Sequence, residues 1–314
     1  MYKFTPILKT LVWGTESWVL SGVPGNESVV AEGPEAGKKI TELYPGQFPL
    51  LIKFIDAKRD LSIQVHPDNE LAAKRHGCNG KTEMWYVIGA EPGAKLISGL
   101  KEKITPGDYV RLVEQDRITD VLAEHSVAPG DVFFLPAGRI HAIGGGCYLA
   151  EIQQTSDITY RIYDYNRPGL DGKPRQLHTQ EAKDAIDYQV YPEYRTRYEL
   201  KQNEPIELVR CPYFTTTLYD LTPAATDGRT EPELVFRQTC PENNSGPTVR
   251  KTPSAASFLI AIGLHGSGTL RTEHDETTLR EGEAVLIPAA DGAVSFLPAA
   301  PGWRFLTAAA PQER

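Results

Sequence analysis

Two histidines, a glutamate and a glutamine, far apart in the chain, are the donor types of a mixed nitrogen and oxygen metal site. The first pair sits in Leu61-Ser-Ile-Gln-Val-His-Pro-Asp68. Alternation along a strand puts Ser62, Gln64 and His66 on one face and Leu61, Ile63 and Val65 on the other. Three polar side chains aimed the same way out of a β-prone stretch need polar company. Lys81 and Glu83 share a strand face in the same manner, and His141 follows the turn Pro136-Ala-Gly138. Gln64, His66, Glu83 and His141 form a set without thiolate. Such a set suits Zn²⁺ with exchangeable water and tolerates Mn²⁺, Co²⁺ or Fe²⁺. Open coordination positions point to catalysis rather than to a structural metal. Taken singly, each of these side chains reads as an ordinary core or surface residue. Their shared position around one barrel carries the metal reading. His76, His125, His178, His265 and His274 lack such company and read as ordinary.

A second cluster runs from Thr155 to Arg167. Asp157, Thr159, Arg161 and Tyr163 alternate with Ile158, Tyr160 and Ile162, which predicts a strand with a carboxylate and a guanidinium on one face. Arginine offers forked donors and keeps its proton, so it suits a planar anion such as an enediolate or a phosphate. The plain alternative is a solvated ion pair. Trp13, Trp18 and Trp85 are candidates for sugar stacking, although buried packing is the commoner role of tryptophan.

The elements that must position these groups are short strands. Trp18–Ser21, Ser28–Ala31, Leu50–Ile55, Lys81–Ile88, Ala94–Gly99, Val132–Leu135, Tyr148–Gln153 and Ile158–Tyr163 all read as strands punctuated by Gly and Pro. Helical turns are expected in Glu35–Leu43, in an insertion over Pro106–Glu124, and in Thr179–Ile186. Tyr188–Glu204 reads as an interdomain connection, residues 206–314 as further short strands, and Pro241–Thr252 as a polar loop. Gly130-Asp-Val-Phe-Phe-Leu-Pro136 and Gly282-Glu-Ala-Val-Leu-Ile-Pro288 share one frame, and the same offset beyond them reaches His141 in one and Ala293 in the other. Two copies of one β-unit, the polar residue kept only in the first, predict a duplicated barrel with a structural second copy.

Bulk properties narrow the function classes. A chain of 314 residues has room for two domains with cores of their own. A formal charge of −8 argues against nucleic acid or an anionic membrane as main partner, while a local cationic cleft remains compatible with an anionic small substrate. Four cysteines without CxxC spacing, and a start lacking an apolar signal segment, lead us to expect a cytoplasmic protein with reduced thiols. No apolar run reaches the length of a membrane span. GxSxG, Walker and strand-following GxGxxG patterns are absent, and Gly144-Gly-Gly146 leads into a strand.

Gly130-x5-Pro136-x-Gly138-x2-His141 resembles the second cupin motif, with Gly145 where many cupins have Asn. Gln64-Val-His66 with Glu83-x5-Gly89 resembles the first, with Gln for its first His and a long insertion before the Glu. With Lys81-x-Glu83, His141-Ala-Ile and Asp157-Ile-Thr-Tyr-Arg161, the chain is similar to the type I phosphomannose isomerases over roughly residues 1–190. That resemblance implies a mainly β fold of two cupin-like (jelly-roll) barrels with a few short helices. A catalytic domain is expected over 1–195 and a degenerate, metal-free one over 196–314. It implies one zinc ion held by Gln64, His66, Glu83 and His141, with Arg161 catalytic and Lys81 and Asp157 assisting proton transfer. It places Ser62, Arg161 and Arg167 at the substrate phosphate and Trp18 at the border of the site. The chain departs from the family at Thr82, usually Pro, at Arg139, where small residues are common, and at Arg167, which is Lys in some relatives. The large helical domain of longer members is also absent.

The expected reaction is aldose–ketose isomerisation of a small phosphorylated sugar, mannose 6-phosphate to fructose 6-phosphate, through an enediol. Lys81 and Asp157 both stand as candidate bases. The rival readings are a metal-dependent cupin dioxygenase, which gives no role to Lys81 or Arg161, a non-catalytic sugar-binding or regulatory cupin, and, closest, activity on a different aldose or ketose. The oligomeric state is left open.

Overall fold

The structure, a computed structural model, describes residues 1–222, 234–237 and 258–311. It divides into two compact units. One comprises Pro6–Glu27 and Gly46–Arg197, the other Met1–Thr5, Ser28–Pro45 and Tyr198–Arg314. The division falls near the expected boundary at 195, but it is not contiguous, because two N-terminal segments belong with the C-terminal unit. Cys240 and the polar loop expected over Pro241–Thr252 lie outside the described residues.

The unit containing the candidate metal ligands is built mainly from two antiparallel sheets. A seven-stranded sheet runs, in spatial order, Arg195–Thr196, Val132–Leu135, Glu83–Ala90, Cys147–Gln154, Leu50–Ala57, Gly14–Leu20 and Ile7–Leu11. A five-stranded sheet runs Leu122–Ser126, Lys95–Leu100, His141–Ile143, Ile63–Val65 and Tyr160–Tyr163. Side chains of both sheets meet in one core, where Trp85, Phe133, Leu135, Ile55 and Leu149 of the first pack with Leu96 and Ile143 of the second. Each such fully buried large side chain stabilises the fold by about 1.5–3 kcal/mol. Leu50–Ala57 is apolar at nearly every position because it is a central strand covered on both faces.

Pairing register decides what faces the space between the sheets. In the seven-stranded sheet Trp18 lies opposite Lys53, Lys53 opposite Glu151, Glu151 opposite Trp85, and Trp85 opposite Phe133. One lateral row of the five-stranded sheet reads Ser98, His141, Gln64, Arg161. Directly opposed residues share a face with Cβ atoms about 4.5–5.5 Å apart. Residues brought from 98, 141, 64 and 161 therefore become neighbours by strand pairing alone.

Several expectations are corrected. The helix Asn69–His76, unforeseen in the insertion before Glu83, buries only Ala72 and so has no apolar stripe to read. Its ends are nevertheless encoded, by Asp68 accepting from the Leu71 N–H and by Gly77 in the left-handed region. Pro106–Glu124 forms the helix Pro106–Glu114 and a 3₁₀ turn, Ile118–Val121, and then enters the strand Leu122–Ser126. The strand expected from Ile158 begins only at Tyr160, which leaves Asp157 in a loop. Tyr188–Glu204 is no free connection over its first half. The Tyr194 hydroxyl donates to the Leu100 carbonyl at 2.6 Å and Phe133 pairs with Arg195.

The other unit, in its described residues, is also mainly two antiparallel sheets, with Tyr219, Leu259, Val285 and Phe305 of one packed with Leu270, Leu279, Val294 and Phe296 of the other. Gly130 and Gly282 both have positive φ, 94° and 78°, ahead of the strands Val132–Leu135 and Ala284–Pro288. His141 and Ala293 each open a strand. The shared sequence frame thus corresponds to a shared structural frame.

Gly138 joins the turn to the ligand strands. Its N–H donates to the His66 carbonyl at 2.9 Å, its φ is 89°, and a Cβ there would stand 3.0 Å from the Ala185 carbonyl oxygen. A left-handed φ and a close backbone both penalise a side chain. We expect Gly138→Ala to cost about 1–3 kcal/mol by urea unfolding. An unchanged midpoint would show that this turn is not strained.

Candidate active site

His66, Glu83 and His141 are buried together, their ligand-capable atoms all within 4.8 Å of one another. His141 reaches the cluster from the five-stranded sheet, His66 from just beyond that sheet's strand Ile63–Val65, and Glu83 from the seven-stranded sheet. Both imidazoles are oriented by backbone. The His66 Nδ1–H donates to the Ile158 carbonyl and the His141 Nδ1–H to the Arg139 carbonyl, each at 2.8 Å. Both Nε2 lone pairs are thereby aimed at the same point, 3.2 Å apart. Two nitrogens bound to one tetrahedral zinc at about 2.05 Å would stand roughly 3.3 Å apart. Glu83 Oε1 lies 3.3 Å from His141 Nε2, and Oε2 lies 3.8 Å from His66 Nε2. Both carboxylate oxygens are buried, and the Lys81 ammonium pairs with Oε2. The Gln64 amide stands 3.3 Å from His141 Nε2, and a half-turn of that amide presents its oxygen instead. Converging lone pairs and a buried carboxylate fit a divalent cation with open positions.

The electrostatics agree with that fit. Burial, then Lys81 and His141, hold His66 well below the usual histidine range. Burial and then Lys81 lower His141 to about 3. Both rings are therefore neutral at pH 7, the form that ligates metal. Burial and the neighbouring Glu151 push the Glu83 carboxyl up against the pull of Lys81. A bound dication reverses that push by stabilising the carboxylate.

Lys81 is buried beside the ligands. Its ammonium makes an ion pair with Glu83, lies 3.1 Å from His66 Nε2 and stands 3.6 Å from Glu151 Oε1. Glu151 is a residue that sequence reading left as strand filler. It accepts from Lys53 Nζ at 2.9 Å and from the Trp85 indole N–H at 2.8 Å, entirely within the core. Burial raises its pKa, but Lys53 and Lys81 outweigh that and hold it ionised. The available signal was a charge inside each of two apolar strands, Leu-Ile-Lys53-Phe-Ile and Leu-Ala-Glu151-Ile.

The remaining expected residues divide. Ser62 is buried just ahead of the ligand strand. Arg161 is half-buried on the row beside Gln64, with Nη1 donating to the Gln176 carbonyl at 2.9 Å and Nε buried without a partner. Arg167 and Arg175 both grip buried Asp164, Arg167 Nη2 at 2.9 Å and Arg175 Nη2 at 2.6 Å from its Oδ1. Three guanidinium groups around one carboxylate make a cationic patch, of which Arg175 was not foreseen. Asp157 is exposed in its loop, and no hydrogen bond or ion pair joins it to the ligand cluster. Trp18 is 1 % exposed, packed on Leu51 and Val23 with Lys9 Nζ 3.3 Å from its ring centroid, so it offers no open face to a sugar. Arg139, a departure from the family pattern, lies with its guanidinium carbon 4.6 Å from each of the Tyr191 and Tyr194 ring centroids. This stacking steadies the residue whose carbonyl orients His141.

Comparison with known proteins agrees with the geometry. Residues 15–86 match the phosphomannose isomerase type I catalytic domain. The mannose-6-phosphate isomerase ManA of Bacillus subtilis (strain 168) is 33% identical over 263 residues, 74% of this chain and 83% of the relative. The chain belongs to the type I phosphomannose isomerase family. A mannose-6-phosphate isomerase of Streptococcus mutans serotype c is 32% identical over 293 residues, 87% of this chain and 82% of the relative. The crystal structure of the Bacillus subtilis mannose 6-phosphate isomerase superposes with a TM-score of 0.82 at 28% identity, covering 98% of both chains. A putative mannosephosphate isomerase from Archaeoglobus fulgidus shares the fold, with a TM-score of 0.74 at 16% identity over 99% of this chain and 97% of that one. The mainly β, cupin-like architecture is that of this family of metal-dependent isomerases.

The buried Lys53–Glu151 pair yields a stability prediction. Lys53→Met leaves Glu151 with less compensation and is expected to cost about 3–5 kcal/mol in chemical unfolding. The double variant Lys53→Met/Glu151→Leu should recover part of that loss. Strict additivity of the two single variants would show that the charges are not coupled.

Proposed function

We propose that this chain interconverts mannose 6-phosphate and fructose 6-phosphate with one zinc ion per chain, Mn²⁺, Co²⁺ or Fe²⁺ being able to substitute. The observation that carries the proposal is the convergence of His66, His141 and Glu83, with Gln64 adjoining, beside a buried lysine and an arginine on the neighbouring strand. Family membership supplies the reaction class.

Gln64, His66, Glu83 and His141 hold the metal. When bound, the ion supplies Lewis-acid polarisation of the substrate oxygens, an effect of several kcal/mol. Isomerisation then requires a proton to leave C2 and return to C1, with the hydroxyl proton moving between the two oxygens. Lys81 Nζ is the group we assign to that transfer, because it is buried next to the ligands whereas Asp157 faces solvent. Glu83 and Glu151 both pair with the lysine and fix its position. Arg161 stabilises the enediolate oxygens through donors that keep their protons at every working pH. Its unpartnered Nε is a donor still unused in the folded chain. Arg161 and Arg167, with Ser62, form the phosphate side of the site. The free thiols of Cys78, Cys147 and Cys211 support a cytoplasmic setting.

A coupled assay from mannose 6-phosphate to fructose 6-phosphate, with metal analysis of the same sample, tests the proposal. We expect turnover that disappears on chelation and returns with zinc, and a fall in kcat of about 10²–10³-fold in Arg161→Ala. Full activity in a metal-free sample, or no turnover in a zinc-loaded one, would contradict it.

A further inference from the structure

The strand Tyr160–Tyr163 is the last of its sheet, so among the described residues one of its edges has no neighbouring strand. Open edges leave main-chain donors and acceptors to be satisfied elsewhere. At Arg161 one residue satisfies both. The Arg161 N–H donates to the imidazole Nδ1 of His178 at 3.0 Å, and the His178 N–H donates to the Arg161 carbonyl at 2.7 Å. Gln176, two residues earlier, takes the Arg161 side chain through its carbonyl at 2.9 Å. Because both backbone groups of Arg161 turn outward to His178, its pairing with Gln64 is of the non-hydrogen-bonded kind, in which opposed side chains come closest. The backbone contact with His178 and the approach of Arg161 to the ligand row are two consequences of one arrangement.

We propose that His178 is a positioning residue that fixes Arg161 beside the metal ligands, and that it does so only as the neutral imidazole. The proposal rests on the role assigned to Arg161 above. Nδ1 must carry a lone pair to accept the Arg161 N–H, so the single ring proton belongs on Nε2. Protonation of Nδ1 sets two N–H groups against each other and adds a cation beside Arg161. The groups around the ring are Arg161 and Tyr160 on the adjoining strand, His76 from the helix Asn69–His76, and Glu181 on its own helix. Tyr160 is held by His76, with Nε2 2.7 Å from its hydroxyl, and Arg75 Nη1 donates to the Glu181 carbonyl at 3.2 Å. Burial first, then Arg161 and His76, lower the His178 pKa against the opposing pull of Glu181. The ring is therefore neutral at pH 7. The clamp is fully present above a pH of about 6.5 and is lost as pH falls through the lower pKa of the folded protein.

The experiment is kcat and kcat/KM between pH 5 and 8 for the zinc-loaded wild type, His178→Ala, His178→Asn and Arg161→Ala. Asparagine offers an acceptor that does not titrate. We expect His178→Ala to lose about 10-fold or more in kcat at pH 7.5 with its zinc content retained. His178→Asn should recover most of that loss, and the acid limb of its kcat profile should lie at lower pH than in the wild type. A wild-type kcat and pH profile in His178→Ala overturns the proposal. So does an acid limb in His178→Asn that coincides with the wild type. If His178→Ala does not fold, the His178→Asn profile decides alone. Arg161→Ala separates the two levels of the argument. An unimpaired Arg161→Ala removes the assigned role of Arg161, whereas an impaired one beside a normal His178→Ala removes only the positioning role.

Discussion

Two imidazole lone pairs and a buried carboxylate within 4.8 Å repel one another unless positive charge stands among them. The unit that holds these side chains is arranged around that constraint. Its lone pairs cannot turn away, because each ring spends its other nitrogen on a main-chain carbonyl. Those carbonyls are themselves fixed, Ile158 by the loop entering an edge strand and Arg139 by a side chain stacked on Tyr191 and Tyr194. Burial cannot relax either, since the cluster lies where two sheets share one core. A cation, or the Lys81 ammonium that reaches His66 and Glu83, must therefore be supplied.

The second consequence is a charged network inside the core. Glu151 lies on the central strands of the larger sheet, with Lys53 and Trp85 directly opposite it. Isolated, each charge would cost several kcal/mol to bury. Together with Lys81 and Glu83 they form an alternating set in which every cation touches a carboxylate. Such a set holds Lys81 in one place at the expense of stability that apolar side chains would have given.

Much of the site was legible because strand alternation is a strong local rule. Spacing groups Ser62, Gln64 and His66, and Lys81 with Glu83, although Ser62, His66 and Lys81 flank the strands Ile63–Val65 and Glu83–Ala90 rather than lying in them; Pro136-Ala-Gly138 announces the turn that delivers His141. What sequence could not show depends on distant partners. Alternation around Asp157 continues past the point where the strand ends, because the Ile158 carbonyl is taken by a histidine and not by a neighbouring strand. Lys53 and Glu151 look like flaws in apolar strands until register sets them side by side. His178 read as ordinary because its partner, Arg161, is 17 residues away on an edge that only the sheet order reveals. The tyrosines after residue 188 resembled a linker by composition, although Tyr191 and Tyr194 pack on Arg139.

The central claim is that one divalent ion sits between His66 Nε2, His141 Nε2 and the Glu83 carboxylate. Anomalous diffraction at the zinc edge, from crystals of the zinc-loaded protein, tests it directly. The account predicts a single strong peak in contact with both Nε2 atoms and a Glu83 oxygen, with the Gln64 amide oxygen turned toward it. A peak elsewhere in the molecule, or none between these side chains at full zinc loading, would contradict it.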